Sequence, residues 1–260
     1  MFDIRFGELF GPLLETAQNL GIKTLLLSTG GINYSPSEIS HCREVLKKYP
    51  PYILTTRDAE TYNNYNDLCE RSYNAICSAW FVPEAYPGYH IPDERPYITS
   101  CFDHTREPQF SLAFHTTQES PEFSTTRVTH SKLTKITRLL QRNLNDDING
   151  IQIIRPCHQV LNRQNWRLFF KPNSYCSQLP HGYLNLYRNT KLTITDRLHA
   201  SVATLAYGNP ARLFIKSNRT LLLDRVNAQH VGKKIFKMDI DALSNEKEEY
   251  QNWLTKALHN

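Results

Sequence analysis

The chain has 260 residues, 40% of them hydrophobic and 21% charged, with a formal net charge of +5. This is the balance of a globular protein, and the length allows two modest domains or one large one. The small positive surplus is spread along the chain, so it suits an anionic substrate or a glycan with acidic groups and is too weak to support a nucleic-acid partner.

Other classes fall away as quickly. No apolar run is long enough to span a bilayer, and residues 1–5 lack the layout of a signal peptide. The cysteines Cys42, Cys69, Cys77, Cys101, Cys157 and Cys176 form neither a C-x-x-C pair nor a zinc-ligand spacing. They read as small core residues in a reducing compartment, so the expected location is cytoplasmic and neither metal nor cofactor is expected.

In chain order, residues 8–20 read as a helix, and 22–28 as a continuous apolar strand buried on both faces and ending at Gly30-Gly31. Ser35-Pro36-Ser37-Glu38 is a capping box with proline at the first helical position. Ile39, Cys42, Val45 and Leu46 then share one helical face. Residues 52–56 are a second strand, Arg57-Asp58 opens a further helix by capping it, and the apolar run 75–81 reads as a third strand. Pro83, Pro87, Pro92 and Pro96 punctuate a stretch expected to be neither helix nor central strand.

A second alternating series follows. Strands are expected at 97–102, 109–114, 151–154, 166–170, 191–195 and 211–215. Leu133, Ile136, Leu139, Leu140 and Leu144 mark an amphipathic helix, and helices are also expected over 179–187 and 196–207. Gly208 and Pro210 close the last of these. Tyr250, Trp253, Leu254, Ala257 and Leu258 form an apolar stripe on a terminal helix.

The fold class is therefore α/β: two Rossmann-like domains with parallel sheets facing a cleft, a GT-B-like arrangement, with the first domain abbreviated. The expected division is 1–82, a proline-rich linker over 83–96, a second domain over 97–240, and a helix over 241–260 with the first domain as its candidate docking surface. Substrate is expected in the cleft, beyond the carboxyl ends of the strands.

The candidate site lies where the strand ending at Thr195 meets the next helix. Asp196 stands where an N-cap is wanted. Arg197 and His199 fall in the first turn, whose free N–H groups and positive dipole end favour anions. Arg197 adds a planar charged fork suited to phosphate or carboxylate, and His199 lies close enough to Asp196 for the carboxylate to orient its ring. A plainer reading pairs Arg197 with Asp196 on the surface and lets His199 pack. The adjacent Cys157-His158 is read as structural, because neighbours on a loop point apart.

A hydrophobic strand, Thr195-Asp196-Arg197-Leu198-His199-Ala200, a helix rich in small residues, Gly208-Asn209-Pro210 and a further strand together resemble the C-terminal signature of the polysaccharide pyruvyl transferase family. Arg219 occupies the place of that family's basic residue about nine positions beyond the proline. Upstream, the strand before Gly30-Gly31 and the strand ending in Arg57-Asp58 are similar too.

The resemblance implies transfer of pyruvate from phosphoenolpyruvate to a sugar diol, giving a cyclic ketal and phosphate. It implies that Arg197 and the backbone at Leu198 bind the donor, and that His199 binds phosphate and acts as general acid or base. Arg219 is a further donor-side candidate. Family members place an arginine directly after the first strand of the second domain; here Phe102-Asp103-His104-Thr105-Arg106 makes Arg106 or His104 the candidate. Gly30, Gly31 and Asn33 face the expected cleft, although a tight turn explains the glycines most simply. The family's additional strand–helix units at the start are lacking, so the first domain reads as shortened, either naturally or because the chain is a fragment.

The partners implied are phosphoenolpyruvate and a glycan acceptor. Two alternatives stay open. A nucleotide-sugar glycosyltransferase would want an acidic residue to hold a ribose, and residues 195–218 contain no Glu and only Asp196. The other alternative is a catalytically inactive family member that acts as a binding protein.

Overall fold

A computed structural model describes residues 1–89, 96–105, 107–113, 122–126, 147–158 and 173–259. They form two compact units. The first comprises Met1–Phe81, Lys216–Gln229 and Asp239–Asn260, and the second Val82–Ile215 and His230–Met238. This differs from the expected division, which kept all of 97–240 together: Lys216–Gln229 belongs with the first unit.

In the first unit, α1 (Phe6–Asn19), β1 (Leu25–Thr29), α2 (Pro36–Lys48), β2 (Ile53–Thr56), α3 (Ala59–Tyr65) and β3 (Ser72–Asn74) alternate along the chain. The three strands make a fully parallel sheet in the order β1-β2-β3. α2 starts as its sequence dictates. The Glu38 N–H donates to Ser35 Oγ at 3.3 Å, and the Ser35 N–H donates to the Glu38 carboxylate at 3.4 Å. Cys42 and Leu46 of this helix pack with Phe2, Phe6, Leu14, Leu54 and Tyr65 in the core. The helix Ile240–His259 closes the unit: Tyr250 meets Thr55 of β2 hydroxyl to hydroxyl at 2.8 Å, and Trp253 stacks on Tyr73 of β3 at 4.8 Å.

Two expectations fail here. β1 is not buried on both faces: it is the sheet's edge strand, and while Leu26 packs on the core, Leu25 and Leu27 are 40% and 43% exposed. Successive side chains point to opposite faces, and α1 and α2 cover only one of them. The third strand is not 75–81 but the polar Ser72–Asn74 just before it. The ladder ends with the Ala75 N–H donating to the Thr56 carbonyl at 2.7 Å, and Ser78–Phe81 is a 3-10 turn that buries Trp80 completely. An apolar run reports burial, and here what is buried is a turn.

The second unit opens with α4 (Val82–Ala85), a single turn inside the stretch expected to be non-helical. Pro83 lies in that first turn, where its missing N–H costs nothing. There follow β4 (Tyr97–Cys101), a hairpin of β5 (Gln109–Ala113) and β6 (Glu122–Thr126), then β7 (Asp147–Ile148), β8 (Ile151–Pro156) and β9 (Ser174–Tyr175). α5 (Pro180–Asn189), β10 (Leu192–Thr195), α6 (Leu198–Ala206) and β11 (Ala211–Leu213) complete it. The main sheet runs β11-β10-β4-β8-β7, parallel except for β7, and β9 pairs with β8. Ile98, Ile153, Leu192 and Ile194 fill its core. Gly208 takes φ 81° to close α6, as its sequence predicts. The helix expected around Leu133–Leu144, the strand at 166–170 and Phe114 lie outside the described residues.

Candidate functional site

β4 and β10 are parallel neighbours, with Cys101 opposite Thr195. The segments that leave them therefore lie side by side at the carboxyl edge of the sheet, the edge where parallel α/β sheets bind ligands. Asp196 joins the two. Its N–H donates to the Cys101 carbonyl at 3.0 Å. Its carboxylate accepts from the N–H groups of Asp103, His104 and Thr105 at 3.0, 2.8 and 2.5 Å, and from the Thr105 hydroxyl at 3.1 Å.

This corrects the expected cap. α6 begins at Leu198, its N-cap position is held by Arg197, and no side chain caps it. Four donors converging on one buried carboxylate outweigh the single bond of a helix cap. Asp196 holds the loop after β4, and the Arg197 side chain at the N-cap position makes no capping bond to α6.

Arg197 does not pair with Asp196 as the plainer reading had it. Its guanidinium donates to Asp103, whose carboxylate is 1% exposed, while the Arg197 side chain stays 28% exposed. The backbone N–H of Arg197 donates to Thr195 Oγ1 at 2.9 Å. A buried anion thus fixes the fork at its inner side and leaves the outer side open. Leu198 is the first residue of α6 and its side chain is buried; His199 follows it and is exposed. Arg197, Leu198 and His199 thus stand together at one uncapped helix start.

The remaining candidates lie elsewhere. Arg106 is outside the described residues, and His104 is exposed, with its backbone held by Asp196. Arg219, half-buried in the 3-10 turn Asn218–Leu223, belongs to the first unit. So do Gly30, Gly31 and Asn33. Neither glycine has a positive φ; the positive-φ residues nearby are Ser28 and Tyr34. The glycines permit close approach. A Cβ on Gly30 would lie 2.1 Å from Nε of the buried Arg57, and one on Gly31 would lie 2.5 Å from the Tyr34 ring. The Asn33 amide donates to Glu38 at 3.0 Å. Asp58 caps α3 as expected, accepting from the Thr61 N–H at 2.7 Å.

Sequence reasoning missed one contributor, Asp103; His158, which it read as structural, is packed and hydrogen-bonded. His158 follows β8, the next strand in the sheet, and its Nε2 stands 2.7 Å from the Tyr187 hydroxyl. Its ring stacks on Tyr183 with centroids 4.0 Å apart. Burial pushes its pKa down to about 4; the Arg197 charge adds to this and the Asp103 charge opposes it. Burial also holds the Tyr187 phenol and the Cys101 thiol well above their ordinary range. Cys157 turns its thiol to the Arg155 carbonyl, with its pKa raised by burial to about 11. The signal was positional: Asp103, His158 and Asp196-Arg197 all come within two residues of the carboxyl ends of adjacent parallel strands. Among the described residues no group of three His, Cys, Asp or Glu side chains is placed to hold a metal ion, and no helix is long and apolar enough to cross a membrane.

A family model described as polysaccharide pyruvyl transferase matches residues 2–216, most of the chain. The chain belongs to the polysaccharide pyruvyl transferase family.

Among solved structures, this pyruvyl transferase family member is similar to the S. aureus MnaA–UDP co-structure, at 10% identity and a TM-score of 0.46, over 91% of this chain and 62% of that one. It is similar also to UDP-GlcNAc 2-epimerase from Neisseria meningitidis bound to UDP-GlcNAc, at 10% identity and a TM-score of 0.45, over 92% of this chain and 65% of that one. The glycotransferase of kitacinnamycin matches at 10% identity and a TM-score of 0.38, over 93% of this chain and 70% of that one. The chain spans less than two thirds of the length of the first two. No curated protein matches it.

Proposed function

We propose that the chain serves the transfer of a pyruvyl group from phosphoenolpyruvate to a diol of a polysaccharide or its precursor. The observation that carries this reading is the half-open Arg197 guanidinium, anchored by buried Asp103 at the uncapped start of α6. The N–H groups and dipole of a helix start and a fixed cation together suit a dianionic phosphate beside a carboxylate.

The chemistry needs a proton delivered to the methylene carbon of the donor, which turns it into a methyl group and makes C2 electrophilic. Two acceptor hydroxyls then bond to C2, and the C2–O bond to phosphate breaks. One hydroxyl proton balances the one delivered to the methyl group, and the other leaves with phosphate. His199, exposed at the second position of α6, is the residue we assign to this proton traffic. Arg219, Arg106 and the Gly30-Gly31-Asn33 loop remain donor- and acceptor-side candidates by family resemblance.

The test is phosphorus NMR of phosphoenolpyruvate incubated with the protein and a panel of glycan repeat units, with proton NMR for the ketal methyl. Phosphate and ketal are expected to appear in step, and His199→Ala is expected to slow both by about 100-fold or more with the fold intact. Near-normal turnover in that variant removes His199 from the mechanism. Transfer of a sugar from a UDP or GDP donor would replace the reading with glycosyl transfer.

A further inference from the structure

Strands β8 and β9 pair in parallel, with Arg155 opposite Ser174 and Pro156 opposite Tyr175. The register carries one position further. The Cys157 N–H donates to the Tyr175 carbonyl at 2.8 Å, the bond that sets Cys157 opposite Cys176 in a parallel ladder. Neighbouring strands lie about 4.8 Å apart, inside the range of about 4.4–6.8 Å over which a disulfide joins two Cα atoms. Opposed residues also turn their side chains to the same face of a sheet. Both cysteines are free, Cys157 buried and Cys176 exposed.

The next rung of the ladder is made differently. In a continued ladder the Ser177 N–H donates to the Cys157 carbonyl. Here the Tyr183 hydroxyl, from α5, stands between them: it donates to the Cys157 carbonyl at 2.8 Å and accepts from the Ser177 N–H at 3.1 Å. The same phenol lies beside the Cys176 thiol, and the two thiols are close enough for a charge on one to be felt at the other. The pair is thus held in register by the ladder on one side and by the Tyr183 bridge on the other. The Cys157 thiol rests on the Arg155 carbonyl at 3.8 Å, a weak contact that rotation about the Cα–Cβ bond breaks.

We propose that Cys157 and Cys176 are a dithiol pair that a peroxide closes into a disulfide, clamping β9 to β8 at the carboxyl edge of the second sheet. The reduced pair is the resting form in a reducing compartment. Exposure makes Cys176 the thiol that meets the oxidant, while burial pushes the Cys157 pKa up to about 11 and leaves it little thiolate. The Cys176 sulfur attacks one oxygen of hydrogen peroxide, the O–O bond breaks, and a sulfenic acid and water result. The Cys157 sulfur then attacks the sulfenic sulfur, the S–O bond breaks, and the hydroxyl leaves as water with the Cys157 proton. The two thiols together lose two electrons, and the peroxide is reduced to water. The inference is independent of the reaction proposed above.

The test treats the reduced full chain with hydrogen peroxide, blocks the remaining thiols in denaturant and maps tryptic peptides by mass spectrometry. Arg163 and Arg167 lie between the two cysteines, so trypsin separates them. The Cys157 and Cys176 peptides are expected joined within a monomeric chain and parted again by dithiothreitol. Cys176→Ser, at an exposed position, is expected to lose the cross-link. Cys157→Ala is expected to leave Cys176 open to further oxidation, with sulfinic acid accumulating about tenfold or more faster than in the parent chain. Circular dichroism of each variant checks that the fold is kept. Unjoined peptides with Cys176 carried to sulfinic acid in the parent chain, a bond from Cys176 to any other cysteine, or cross-links only between two chains would overturn the proposal.

Discussion

Asp196 and Asp103 divide the labour at the carboxyl edge of the second sheet. One carboxylate collects three N–H groups and a hydroxyl from the loop after β4, and the other grips Arg197. Asp196→Asn keeps the size but turns an amide N–H₂ toward donors, and should cost about 2–4 kcal/mol, read as a lower urea midpoint at unchanged slope. His158 gives a second prediction. Its pKa is pushed down to about 4 in the folded chain, so between about pH 6.5 and about pH 4 the unfolded chain binds a proton that the folded chain refuses. Stability should therefore fall as pH falls through that window, by about 2 kcal/mol between about pH 7 and about pH 5 attributable to this residue. His158→Phe should remove that part of the slope in urea titrations, and an identical slope in the variant would refute the assignment. Asp196 shows why residue roles were only partly legible. Its partners lie up to 93 positions away, and local spacing cannot see a bond that only the β4–β10 pairing creates.

At the scale of elements, local signals were legible where a specific side chain makes a specific bond. The Ser35 capping box, the Asp58 cap of α3 and the αL turn at Gly208 all form as their residues dictate. The strands β2, β4 and β10 also fall where apolar runs bounded by turn residues put them. Apolar runs without periodicity misled twice, at β1 and at residues 75–81, because they carry no information on which face is covered or whether the backbone is extended. The uncovered face of β1 has a consequence: Leu25 and Leu27 add apolar surface to an edge strand, a site of adventitious pairing. Leu27→Thr keeps the β propensity and should alter stability by no more than about 0.5 kcal/mol while reducing light scattering on concentration. A loss of several kcal/mol would mean that Leu27 is buried in solution.

At the scale of the whole molecule, two parallel α/β sheets are built from alternating stretches of one chain, and the family match runs across both. The alternation was readable from composition and period. The return of Lys216–Gln229 to the first unit was not, because nothing in its own sequence distinguishes the strand it follows from the unit it joins. That return assigns Arg219 to one unit and Arg197 to the other. The proposed donor residues therefore come from both units, Arg197, Leu198 and His199 from the second and Arg219 from the first.

Calorimetric titration of phosphoenolpyruvate into the full chain and into Arg197→Ala tests that claim most directly, with UDP and GDP sugars titrated in parallel. The account predicts saturable phosphoenolpyruvate binding that weakens by about 10–100-fold in the variant, and no binding of the nucleotide sugars. Unchanged phosphoenolpyruvate affinity in Arg197→Ala, or a nucleotide sugar bound in its place, would contradict it.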